Sequence, residues 1–257
     1  MDGIRLVTRA ADAGLNATTN RAIRSAAKDG IVRNISLMAP APAIEDAAET
    51  LLDLAGQVDF GFTVTLTCEW DAVRWGTVAG SAEVPRLVRR DGTFHLKVDE
   101  LGAAGPTIDE MMAEVEGQYS RLTGLGFAPA YLDEHDLVGS VDGLADALGE
   151  FAVRHNLVYD RNLLADGILS PLPDWPGPGE HPGTELADYL SGLRPGTYLL
   201  SGHPGTKDEQ MQFLRTPGGR TGDVAMRRNR ERRMFMDIEI VDYCDNVGIK
   251  LARYSEL

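Results

Sequence analysis

Short apolar runs that end in a small or polar turn and lead into a helix recur along this chain, and that alternation constrains the fold more than any other feature. Strand and helix in repeated succession call for a parallel sheet with helices packed outside it. Residues 4–8 read as a first buried strand and residues 16–29 as a helix closed by Gly30, where the left-handed conformation costs little. Residues 34–38 read as a second strand stopped by Pro40 and Pro42. A second helix over 43–54 places Ile44, Ala47, Ala48, Leu51 and Leu52 on one stripe. Residues 60–66 alternate, with Phe60, Phe62, Val64 and Leu66 on one face and Gly61, Thr63 and Thr65 on the other, toward an interior. The expected fold is α/β, a single (β/α) barrel over residues 1–257, TIM-like with room for distortion, and with a long excursion after strand 3.

That excursion runs over residues 68–105, with a hairpin around Asp91-Gly92, and holds Trp70, Arg74 and Trp75. Long irregular connections often build binding walls. Helical spacing returns over 107–123, where Thr107 and Glu110 fit a capping box and Ile108, Met111, Met112, Val115, Tyr119 and Leu122 form a core stripe. Further along, residues 141–155 read as a helix, 157–159 as a strand, 169–182 as an irregular proline-rich wall and 184–193 as a short helix. Residues 197–202 read as a late buried strand, 224–246 as a closing helix and 249–254 as a last strand or tail. Arg227, Arg228, Arg230, Arg232 and Arg233 are assigned to a solvated helix face.

The charge balance narrows the range of partners. With 39 acidic against 25 basic residues and a formal net charge of -14, the chain is a poor match for a phosphate backbone, so nucleic acid is not an expected partner. Cys68 and Cys244 form neither a metal-type spacing nor a disulfide framework, which fits a reducing, cytoplasmic setting. No apolar run has the length of a membrane span, and a signal peptide is not expected before the first strand. A small-molecule substrate is the expected partner, and a homo-oligomer remains open.

Chemistry concentrates at three strand ends. Asp12 follows the first strand, Asp133-Glu134-His135-Asp136 the fourth and His203-Pro204-Gly205 a late one, and a barrel would bring all three to one rim. Asp12 could equally cap the helix that follows it. A carboxylate with imidazoles is a ligand set for a divalent ion, which polarises carbonyls and activates water, and a free imidazole nearby could serve as general acid. Trp70, Arg74, Trp75, Glu69 and Glu134 are candidates for the substrate wall. His95, His155 and His181 are assigned structural or surface roles.

Residues 9–14, 30–42, 61–67, 131–135 and 202–205 together resemble the YdjC-like carbohydrate deacetylases, the group that includes chitooligosaccharide deacetylases, and the resemblance spans nearly the whole chain. It implies a (β/α) barrel that removes acetyl groups from N-acetylated sugars with a divalent metal, zinc or magnesium, held by one Asp and two His. Asp12 and His135 match two of those ligands and His203 matches the late His-Pro-Gly. Two positions depart from the pattern. Ala11 stands where the resemblance implies the catalytic-base Asp, and Thr63 stands where it implies the third ligand, a His. A methyl group accepts no proton, and a neutral hydroxyl is a poor ligand beside an imidazole. Cys68, Glu69, Glu134 and Asp136 are the candidate substitutes. The expectation is a diverged, hydrolase-like enzyme acting on an acylated sugar or related small molecule through Asp12, His135 and His203. The alternative is a catalytically silent ligand-binding barrel, a pseudoenzyme or inactivated variant.

Overall fold

The computed structural model describes residues 3–257. Its elements are β1 (Ile4–Ala13), α1 (Ala17–Lys28), β2 (Asn34–Leu37), α2 (Ile44–Leu51), β3 (Asp59–Val64), α3 (Val98–Ala104), α4 (Ile108–Gly124), β4 (Pro129–Glu134), α5 (Leu144–Arg154), β5 (Val158–Tyr159), α6 (Asp160–Ala165), β6 (Ser170–Pro171), α7 (Pro182–Ser191), β7 (Gly196–Gly202), α8 (Glu209–Gln212), α9 (Asp223–Met236), α10 (Ile238–Val247) and β8 (Lys250–Ala252). Two of the helices, α1 and α4, start where their sequences direct. The Asn16 side chain accepts from Thr19 N to cap α1, and Thr107 with Glu110 forms the reciprocal capping box of α4.

The strands form one eight-stranded sheet in the order β5-β4-β3-β2-β1-β7-β6, with every ladder parallel. β8 shares an edge of β1 with β2, pairing with Arg5 to Val7 while β2 takes Arg9 to Ala13. The sheet is strongly curled. Arg9 on β1 lies 3.2 Å from Asp133 on β4, although β2 and β3 intervene. In a flat sheet three strand spacings would separate them by roughly 14 Å.

Side chains fill the inside of this curl. Val7, Tyr131, Leu169, Ala252 and Tyr254 make an inner core, with the Tyr131 and Tyr254 rings stacked at 4.1 Å. Gly61 faces that core as the alternation of β3 requires, and a β-carbon there would fall 2.1 Å from the Tyr131 ring. Above it, Arg9 pairs with Asp133 and Asp160 and donates to the Tyr254 hydroxyl at 3.0 Å. A larger apolar core lies outside the sheet, under the helices.

The ring does not close as a full TIM barrel. Among the described residues no ladder joins β5 to β6, so the closed ring expected from the alternation is a curled sheet with a seam. Both seam strands are two residues long, and Pro171 and the prolines that follow it cannot donate to a ladder. Three smaller expectations also change. Gly30 closes α1 for want of space rather than for left-handed backbone, since a β-carbon would sit 2.1 Å from the Phe235 carbonyl oxygen. The closing helix divides into α9 and α10 at Asp237, which leaves helical geometry at ψ 129° and caps α10 through Glu239 N. Arg228 is buried rather than solvated, at 1% exposure.

The excursion over 68–105 is anchored to α4 by polar groups beneath the apolar stripe. Buried Glu114 accepts from Val78 N and Ala79 N, each at 2.9 Å, and Gln118 both donates to Thr65 O and accepts from Thr65 N. No helix among the described residues is long and apolar enough to cross a membrane.

Gly61→Ala should destabilise the protein by about 1–3 kcal/mol, because Tyr131 is locked between Ser36 and Tyr254 and cannot retreat without moving its neighbours. Urea unfolding measures it, and wild-type stability in the variant would contradict this account of the inner core.

Candidate functional site

The carboxyl end of β1 is bulged. Its register with β2 slips between Ala10 and Ala13, so three steps along β1 oppose two along β2, and Asp12 adopts a left-handed φ of 66°. Asp tolerates that region better than most residues, and a bulge re-aims side chains. The consequence is that the Asp12 carboxylate is buried and meets Arg228 Nη2 of α9 at 2.5 Å. Burial alone would raise the Asp12 carboxyl. The Arg228 guanidinium outweighs it, with help from His203 and His135, and holds the group well below the usual carboxylate range. Arg228 also lies over the Trp70 ring at 5.4 Å from its centroid.

His203 leaves the end of β7 and meets the same helix. Its backbone N–H donates to Glu231 Oε2 at 2.6 Å, and its Nδ1 lies 3.5 Å from that oxygen. Burial opposes ionisation of Glu231, but hydrogen bonding and charge from His203 hold the carboxyl below its ordinary value. The His203 side chain is 41% exposed. Arg228 and Glu231, three residues apart on one face of α9, thus secure Asp12 and His203.

His135 follows β4 and donates or accepts through Nε2 to Glu69 Oε2 at 2.9 Å, with the Trp75 ring 6.3 Å away. Burial lowers the imidazole's proton affinity, yet the Glu69 charge and hydrogen bond outweigh it and, with Asp12 and Asp136, push the pKa up to about 9. His135 is therefore an imidazolium at neutral pH, with Nε2 donating to Glu69.

The other sequence candidates are distributed around this centre. Thr63 points into the curl and donates to Asp133 Oδ1 at 2.7 Å. Trp70 and Trp75 are buried, the latter donating to Thr67 O at 3.1 Å, and Arg74 donates to Asp71 O at 3.2 Å. Glu134 turns to the far side of β4, where the Tyr159 hydroxyl and Arg161 both donate to it. Cys68 is buried and its Sγ faces Val73 O. Of the remaining histidines, His95 faces Arg86 O, and His155 packs on Tyr119 and Phe151.

The donors at Asp12, Thr63 and His135 do not fit a divalent ion. A zinc site wants anionic or neutral lone pairs converging on one point. Here Asp12 faces a guanidinium, Thr63 spends its proton on Asp133, and His135 Nε2 is engaged by Glu69. Among the described residues, no three His, Cys, Asp or Glu side chains are grouped to hold a metal.

Arg228 and Glu231 were missed in the sequence because α9 carries charge all around. The one available signal was their three-residue spacing in register with Ala225 and Phe235, which are buried on the same helix.

Arg228→Met should cost about 3–5 kcal/mol by leaving the Asp12 charge buried and unpaired, and Asp12→Leu combined with Arg228→Met should recover most of that loss in urea unfolding. Additive losses in the double variant would contradict the pairing. The His135–Glu69 pair has a pH signature. Its folded-state pKa is raised from 6.5 to about 9, so its contribution, on the order of 3 kcal/mol, is fully present below pH 6.5 and lost as the pH rises through about 9. His135→Gln should flatten that decline, and an unaltered pH–stability slope would count against the assignment.

Comparison with known proteins agrees with the architecture. The pattern of the YdjC-like protein family matches residues 5–246. A carbohydrate deacetylase of Thermoanaerobacter pseudethanolicus is 24% identical over 260 residues, covering 98% of both chains, and one of Clostridium beijerinckii is 27% identical over 154 residues, covering 60% of this chain and 58% of its own. The solved structure of an Enterococcus faecalis protein, described as a proposed cellobiose-phosphate cleavage protein, superposes with a TM-score of 0.77 at 19% identity and covers 99% of this chain and 98% of its own. The curled parallel sheet, the His-Pro-Gly turn after β7 and the match over almost the entire chain make this protein a member of the YdjC-like family.

Proposed function

We propose that this chain is a diverged, deacetylase-like hydrolase that acts on an acylated sugar or related small molecule without a metal at Asp12. The observation that carries the reading is the His203–Glu231 pair, a half-exposed imidazole oriented by a half-buried carboxylate beside the Asp12–Arg228 ion pair. The names of the relatives supply the substrate class, and their low identity leaves the chemistry to the residues present.

Ala11 offers no base, so the proton work falls to His203. Glu231 faces Nδ1, and Nε2 makes no hydrogen bond among the described residues. In the proposed reaction Nε2 takes a proton from a water as its oxygen bonds to the acyl carbon. The same proton passes to the amide nitrogen as the C–N bond breaks, releasing a carboxylic acid and an amine. The His135 imidazolium supplies positive charge for the developing oxyanion, since Glu69 engages Nε2 and leaves the Nδ1–H side available. Arg228 acts at one remove, by neutralising Asp12.

A second reading, a catalytically silent barrel that binds the ligand without turnover, draws on Ala11 and on the commitment of Asp12 to Arg228. Acetate release from an N-acetylated chitooligosaccharide separates the two. The hydrolase reading expects turnover that a chelator leaves intact and that His203→Ala lowers by about a hundredfold or more. Turnover abolished by the chelator would sink the metal-free site. Saturable binding with no acetate above the His203→Ala background would favour the silent barrel.

A further inference from the structure

The seam between β5 and β6 opens into a cavity of about 540 Å³, a volume in the range of small-ligand sites. It is distinct from the surroundings of Asp12 and His203, neither of which lines it. One wall comes from β4, β5 and α6 and the other from Leu199 on β7, so the cavity exists because the ring fails to close.

Its polar wall is built in advance. Glu134 accepts from the Tyr159 hydroxyl, from Nε and Nη2 of Arg161 and from Gly139 N, which fixes Tyr159 and Arg161 and leaves Glu134 satisfied. Deeper in, Arg9 pairs with Asp133 and Asp160 through Nη1. Two polar groups on this floor remain without partners among the described residues. Asp160, 6% exposed, has no hydrogen bond at Oδ1, and Arg9 makes none through Nη2. An unpaired acceptor and an unpaired donor on two ion-paired side chains suit a hydroxyl, which offers both functions. Leu137, Leu164 and Leu199 add apolar surface, and Leu137 is 70% exposed and held at a left-handed φ of 55°. Strained backbone of that kind is characteristic of ligand clamps.

We propose that the seam cavity is a second binding site, for a neutral, hydroxyl-rich molecule of monosaccharide size. Three carboxylates, at Asp133, Glu134 and Asp160, stand against two guanidiniums, at Arg9 and Arg161, so the wall is close to balanced and favours neither a phosphate nor a strongly cationic ligand. The proposal goes beyond the reaction at His203 and does not depend on it.

Calorimetric titration of the full chain with glucose, N-acetylglucosamine and glucose 6-phosphate tests it. Saturable binding of at least one neutral sugar, with Kd tighter than about 10 mM, is expected, together with weaker or absent binding of the phosphate ester. Leu164→Trp, which fills the mouth from a partly exposed position, should weaken that binding at least about tenfold while circular dichroism and the unliganded melting temperature stay unchanged. His203→Ala should leave it intact. Three results would overturn the proposal: no saturation by either neutral sugar, preference for the phosphate ester, or binding that is lost in His203→Ala and kept in Leu164→Trp. The last outcome would place the ligand at the reacting site and leave the reading of that site standing, whereas loss of acetate release with seam binding retained would do the reverse.

Discussion

A buried ion pair between Asp12 and Arg228 organises the carboxyl end of the sheet. Two charges removed from water are tolerated only when they meet closely, and here the encounter depends on a bulge that turns Asp12 inward and on a helix that arrives from the other end of the chain. The pair fixes α9 against the carboxyl end of β1. That position carries Glu231 to His203, and so the orientation of the exposed imidazole follows from the same contact.

The pair also determines what the site can bind. A guanidinium carries its positive charge at every accessible pH, so the Asp12 carboxylate it pairs with offers no free anionic charge. Thr63 and Ala11 act in the same direction, one by donating into the interior and the other by offering no lone pair at all. A second charged pair, His135 with Glu69, follows β4.

The sheet beneath this rim encloses a polar cluster as well as an apolar inner core. Arg9 draws β4 and the start of α6 toward β1, and the stacked Tyr131 and Tyr254 fill the space below. The curl stops short of closure where prolines deprive the seam of ladder donors. A defect in the ring and a cavity lined by unpaired polar groups are therefore one feature, and the proposed second site is a consequence of how the sheet ends.

Periodicity and punctuation in the sequence determined the order of the longer strands and helices, the inward face of β3 and the capping box at Thr107, because those depend on neighbours within a few residues. Position after an apolar run likewise marked Asp12, His135 and His203 as strand-end residues. Tertiary structure alone decided which charges meet. Arg228 is one of five arginines on a helix where only a sparse buried register, Ala225 and Phe235, marks the inward face, and its partner lies 216 residues away. The same holds for Glu69 with His135, for Arg9 with Asp160 and for the seam, since the two residues of β6 leave no period to read and long-range ion pairs leave no local trace.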